Sequence, residues 1–208
     1  MELRFSRNSL FNTVLRDTQG APLFRIDTRK GPRKVSLTTV SRFVGGVDEP
    51  SREVLADGTS RNVTGDGASD TDILLMGLQE EQVAQIEWHY WSQSIFRIRG
   101  ETKEVKEYMP GKGVLRRQRI FTASNGQKYK WQFGCNTCWL QLDDGKDTVV
   151  ARFHRSSRGF VGKAHNAYLE VVQEIMPIID EVIMTFIWVE KRREDRQKAW
   201  QHRVYITP

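Results

Sequence analysis

Cysteine is almost missing from this chain of 208 residues: Cys135 and Cys138 are the only two. One close-spaced pair cannot build a disulfide framework, so stability must come from an apolar core, and the thiol usage fits a reducing, cytoplasmic setting. No apolar run is long enough to span a bilayer, which takes about 20 residues. The longest, Pro177–Val189, is shorter and holds Asp180 and Glu181. The first residues place Glu2, Arg4 and Arg7 where a signal peptide would need an apolar stretch, so export by that route is not expected. The sequon at Asn62–Thr64 is therefore expected to stay unmodified. There is no internal repeat, no low-complexity tract, and no G-x-S-x-G, H-E-x-x-H, Walker or dinucleotide glycine pattern. Acid is in deficit too, with 26 Asp and Glu against 32 Lys and Arg, a net charge of +6. That balance admits nucleic acid, acidic protein or anionic lipid as partners without choosing among them.

What the chain does have is alternation. Ala84, Ile86, Trp88 and Tyr90 fall on one face of a strand predicted over Gln82–Tyr90, with Gln85, Glu87 and His89 on the other. Tyr129, Trp131 and Phe133 repeat the pattern, as do Val149, Ala151 and Phe153. Asn125-Gly126 reads as a two-residue hairpin turn, and Asp144-Gly145, Pro110-Gly111 and Gly31-Pro32 punctuate elsewhere. The count comes to about a dozen short strands, the spacing of an all-β sandwich or barrel. Residues 45–72 break the rhythm with Gly, Asp, Ser, Thr and Arg and read as a mobile insertion within a single domain spanning 1–208.

The exception to the β pattern is a helix predicted over Pro177–Lys198. Proline suits its first turn, Asp180 and Glu181 suit its positive end, and Lys191–Lys198 suits its negative end. Its first half is apolar on nearly every face, which a surface helix would not tolerate. The fold expected is therefore all-β with one C-terminal helix: a closed or nearly closed barrel, plugged by the apolar half of the helix, with the charged half projecting into solvent. The predicted core combines Ile178, Ile179, Val182, Ile183, Phe186, Ile187 and Val189 with Ile86, Trp88, Phe96, Ile98, Trp131, Phe133, Ala151 and Phe153.

The segments Ile86–His89, Tyr129–Trp131, Ala151–Arg155 and Thr185–Arg193 together resemble a fungal family known only as a domain of unknown function. The layout also resembles the tubby C-terminal, LURP-one-related and phospholipid scramblase group. That second resemblance implies a twelve-stranded barrel threaded by a hydrophobic helix, and association with membranes. None of that group's ligand residues aligns to a position here, and the cysteine-rich palmitoylation segment of scramblases is absent.

Candidate chemistry lies in two places. Cys135 and Cys138 form a C-x-x-C pair that could serve a small redox enzyme or hydrolase, or half a zinc site completed by His154 and His165. A hairpin turn is the wrong setting for a redox pair, so two structural thiols are the preferred reading, with no cofactor and no metal. The second place is basic. Arg29, Lys30, Arg33 and Lys34 surround a Gly-Pro turn; Lys112, Arg116, Arg117 and Arg119 follow the next basic loop; Arg152, His154, Arg155, Arg158, Lys163 and His165 make a third group. If these share a face, they can hold phosphoinositide or other acidic headgroups. The alternating aromatics read as core, which argues against base stacking and so against nucleic acid. The expectation is a non-enzymatic intracellular binding module, peripheral at acidic membranes. The alternative is a protein-interaction scaffold using the helix and the insertion.

Overall fold

The computed structural model describes residues 1–31, 35–44, 78–89, 92–113, 117–157 and 164–206, with side chains through residue 201. The expected insertion at 45–72 lies outside them. Among the described residues thirteen strands form one antiparallel sheet: β1 Glu2–Phe5, β2 Thr13–Arg16, β3 Pro22–Lys30, β4 Ser36–Val44, β5 Gln79–Trp88, β6 Ile95–Ile98, β7 Glu101–Glu104, β8 Gly111–Lys112, β9 Gln118–Thr122, β10 Lys128–Phe133, β11 Cys138–Leu142, β12 Val149–His154 and β13 Tyr168–Val171. A short helix, α1, spans Val105–Tyr108; a 3-10 turn, Gln173–Ile178, leads into the long helix α2, Ile179–Ile206. Pro177 thus sits in the 3-10 turn rather than in the α-helix, which begins two residues later. Among the described residues no helix is long and apolar enough to cross a membrane.

Strand order explains the curvature. The sheet runs β7-β6-β5-β4-β3-β2-β1-β13-β12-β11-β10-β9-β8. The first strand pairs with the last, Leu3 opposite Leu169, so the two halves of the chain join in the middle of the sheet. The two edges, β7 and β8, are consecutive in sequence and separated by residues 105–110 alone. Here the outcome departs from a closed twelve-stranded barrel: among the described residues the sheet is open, with no ladder between β7 and β8. The reason is local. The connecting chain turns inward as α1, burying Val105 and Met109, and leaves β8 only two residues long. Side chains span the gap instead. The Tyr108 ring meets Phe96 of β6 at 5.6 Å and stacks on Phe121 of β9 at 5.9 Å.

Inside this curled sheet, α2 is buried at every position from Glu181 to Glu190. Ten successive buried residues cover every helical face, so the helix is surrounded rather than laid on a surface. Phe186 sits at the centre, against Phe5, Trp131 and Phe153. The predicted core is buried throughout, apart from Trp88, which is half-buried and hydrogen-bonds Thr38 through its indole N–H at 2.8 Å. Burial runs past the apolar half of the helix: Glu190 and Arg193 lie inside too, so the boundary expected after Val189 falls about one turn later. The Asn125-Gly126 hairpin also differs. Its strands stop at Thr122 and restart at Lys128, and only Gly126 takes a positive φ, of 78°. The longer loop frees the Ser124 amide to donate to the Glu181 carboxylate at the start of α2.

Candidate functional site

Antiparallel pairing fixes which loops share an end of the sheet. β3 ends at Lys30, β8 at Lys112 and β12 at His154, while β9 begins at Gln118 and β13 at Tyr168, all at one end. The three basic loops therefore belong to the same end, although they are far apart in sequence. It is also the end from which α2 emerges. Glu190 meets Cys138 at the start of β11, and Arg196 lies over Phe133 at the end of β10.

Lys30, Lys112, Arg117 and Arg155 are exposed at this end. Two of the predicted residues sit elsewhere. Arg29 lies on the outer flank, paired with Asp27 at 2.9 Å, along a groove of about 570 Å³ where Arg25 meets Glu80 at 3.2 Å. That groove sets Arg7, Arg25 and Arg29 against Asp27 and Glu80, so two of its three cations are already paired. Arg152 faces outward beside Glu170, its cross-strand neighbour. Arg33, Lys34, Arg116, Arg158 and Lys163 lie outside the described residues.

The helix adds Arg192 and Arg196 to the cations at this end. Arg119 and Arg192 lie over the Trp188 ring at 4.9 and 5.3 Å, and Arg196 lies over Phe133 at 5.1 Å. Such stacking holds guanidinium groups in place. The shielding of Arg196, followed by the charges of Arg192 and Arg117, lowers its pKa from the usual arginine value. The charges of Arg192 and Arg117 therefore reach Arg196. The signal in the sequence was the spacing of Trp188, Arg192 and Arg196 by four residues, which puts them on one helical face.

The two cysteines have separate fates. The hairpin between β10 and β11 closes tightly, with the Gly134 amide donating to the Thr137 carbonyl at 2.9 Å. A Cβ on Gly134 would come within 2.9 Å of that carbonyl and of the Trp139 ring. The turn exposes Cys135 and buries Cys138, whose thiol lies 3.6 Å from the Glu190 carboxylate. Burial, and then the charge of Glu190, push the Cys138 thiol well above its ordinary pKa, so it stays protonated and a poor nucleophile. His154 is held by Glu170 at 2.9 Å and stacked on Tyr168, and His165 bonds the Asn166 carbonyl. Among the described residues, no three His, Cys, Asp or Glu side chains are grouped to hold a metal. A maleimide is expected to label the native chain at Cys135 alone and to reach Cys138 only in denaturant, as counted by intact mass. Equal labelling of both thiols in the native state would contradict the burial.

No curated protein and no solved structure matches the chain. A family model described as a family of unknown function, DUF6593, matches residues 8–195, from the loop after β1 to just beyond Arg193.

Proposed function

The chain belongs to the DUF6593 family of unknown function, a kinship that supplies no activity to inherit, and we propose that it is a non-enzymatic intracellular module that docks on acidic membranes through its basic end. The observation that carries this reading is that Lys30, Lys112, Arg117 and Arg155 are exposed at the end of the sheet from which the helix with Arg192 and Arg196 emerges. The ligands would be phosphoinositide or other anionic headgroups. Each basic residue near such a surface contributes about 1 kcal/mol, a contribution that salt screens.

A tubby-like barrel is supported by the helix buried on all faces and by sheet edges that are consecutive in sequence.

Co-sedimentation with vesicles is the test. Binding is expected to vesicles containing phosphatidylserine or phosphoinositide and not to pure phosphatidylcholine. The double variant Arg117→Gln/Arg155→Gln should lose about 2 kcal/mol, roughly thirtyfold in affinity. Equal weak binding to neutral and acidic vesicles would remove the proposal.

One observation favours a second reading. Trp200 is 67% exposed on the helix beyond the sheet, a place where a protein partner could bind. Capture of a partner that is lost on truncation after Lys198, with vesicle binding absent throughout, would favour a scaffold instead.

A further inference from the structure

Beside the emerging helix lies a cleft of about 280 Å³ with an apolar floor and a rim of mixed polar and charged side chains. Phe5, Leu10, Phe11 and Phe153 form the floor, drawn from the end of β1, the loop that follows it and the end of β12. Helix α2 forms the opposite wall with Glu190, Lys191, Glu194 and Lys198, which share one side of the helix. Two of these are already engaged. The Glu190 carboxylate is held by Arg193 at 2.5 and 2.6 Å, and Lys191 pairs with Asp195. Among the described residues, neither Arg155 nor Lys198 has a side-chain partner, so two unpaired cations line the cleft against the single unpaired carboxylate of Glu194.

We propose that this cleft takes the head of a single-chain anionic amphiphile, with its phosphate or carboxylate between Arg155 and Lys198 and its first methylenes against Leu10 and Phe11. The assignment rests on the reading of this end as membrane-facing and names what it would select. A volume of about 280 Å³ is at the lower bound for a small-molecule site and equals roughly nine waters at about 30 Å³ each. It fits a headgroup and a few carbons, not a whole lipid. The apolar floor distinguishes the site from a surface that binds free phosphate by charge alone, and the rim excludes cationic amphiphiles.

The probe is decyl phosphate, titrated calorimetrically into the full chain below the concentration at which it forms micelles. Saturable binding at one site is expected, with decyltrimethylammonium and inorganic phosphate each weaker by about tenfold or more. Arg155→Glu/Lys198→Glu should weaken decyl phosphate by a similar factor, whereas Lys128→Glu, at the opposite end of the sheet, should not. Leu10→Trp, which fills the floor, should remove decyl phosphate binding while leaving vesicle binding in place. Should Leu10→Trp fail to fold, the rim variant still decides. Equal affinity for the phosphate and the ammonium amphiphile, or an undiminished rim variant, overturns the assignment. A chain that sediments with acidic vesicles but ignores decyl phosphate sinks the cleft and leaves the basic end standing. A chain that binds decyl phosphate but not acidic vesicles retains the cleft and removes the membrane reading.

Discussion

Phe186→Asp is expected to yield no soluble, folded protein. The Phe186 ring is fully buried, with centroids 4.9 Å from Phe153, 6.0 Å from Trp131 and 6.1 Å from Phe5. Those rings come from β12, β10 and β1, so this one helical residue ties three strands to the axis. Removing a buried phenyl group alone costs about 3–5 kcal/mol. An unpaired carboxylate in the same space adds several kcal/mol more, because no cation is there to meet it. Total stabilities are typically about 5–15 kcal/mol, so the sum consumes most or all of what is available. Soluble yield, far-ultraviolet circular dichroism and thermal melting are the readouts. A native-like spectrum with a cooperative melt would disprove the central place of the helix. Phe186→Leu, which stays apolar, should fold and melt somewhat lower.

The second large effect is expected at Arg193. Its side chain is 3% exposed and that of Glu190 is 1% exposed, and the guanidinium takes both carboxylate oxygens, at 2.6 and 2.5 Å. Two further bonds of 3.1 Å reach the Cys135 carbonyl and Gln197. Arg193→Met would leave Glu190 buried without its cation, at a cost of about 3–5 kcal/mol. The double variant Glu190→Met/Arg193→Met should recover most of that loss, since apolar replacements of a buried pair are often neutral. Urea unfolding midpoints measure both. A double variant as weak as the single one would show that the burden lies in packing or in the Cys135 carbonyl rather than in the stranded charge.

The pH dependence of the single variant has a definite sign. Burial holds the Glu190 carboxyl above the usual carboxylate range even with Arg193 present, and losing Arg193 can only raise it further. A folded pKa above the unfolded one means that the native state binds more protons, so stability falls as pH rises through the folded value. The deficit of Arg193→Met relative to the parent should therefore be large at neutral pH and shrink toward the ordinary carboxylate value of 4.5.

Period-two alternation made the long strands legible. Ala84, Ile86 and Trp88, or Tyr129, Trp131 and Phe133, declare their faces without knowledge of a partner. The buried helix was legible for the same reason, through a run with no polar side. The sheet edges were not. β7 reads Glu-Thr-Lys-Glu, and β8 is two residues long, so neither carries an apolar signal of its own; each exists because a neighbour pairs with it. That absence is also what leaves the sheet open. For the candidate site, the basic residues were visible as charges, but their shared end follows from the parity of strands between loops, which local pattern does not encode. Arg192 and Arg196 look in sequence like part of a solvated tail, because their partners, Trp188 and Phe133, are recognisable only once β10 and α2 are brought together. The burial of Glu190 and Arg193 is hidden from the sequence for a related reason. A charged pair three residues apart looks like surface until the wall beside it, the Cys135–Cys138 turn, is known.

The pairing of β1 with β13 has a consequence during synthesis. Met1 and Val171, 170 residues apart, are hydrogen-bonded through the Met1 amino group. At translation rates of about 5–20 residues per second, the opening strand waits on the order of ten to thirty seconds for its neighbour. The axial residues follow later still. Until then the emerging strands have no apolar partner to fold around, and their inner faces stay accessible to holdase chaperones or to other nascent copies. Yield in a cell should therefore depend on chaperone supply and temperature more steeply than the equilibrium stability of the finished molecule would indicate.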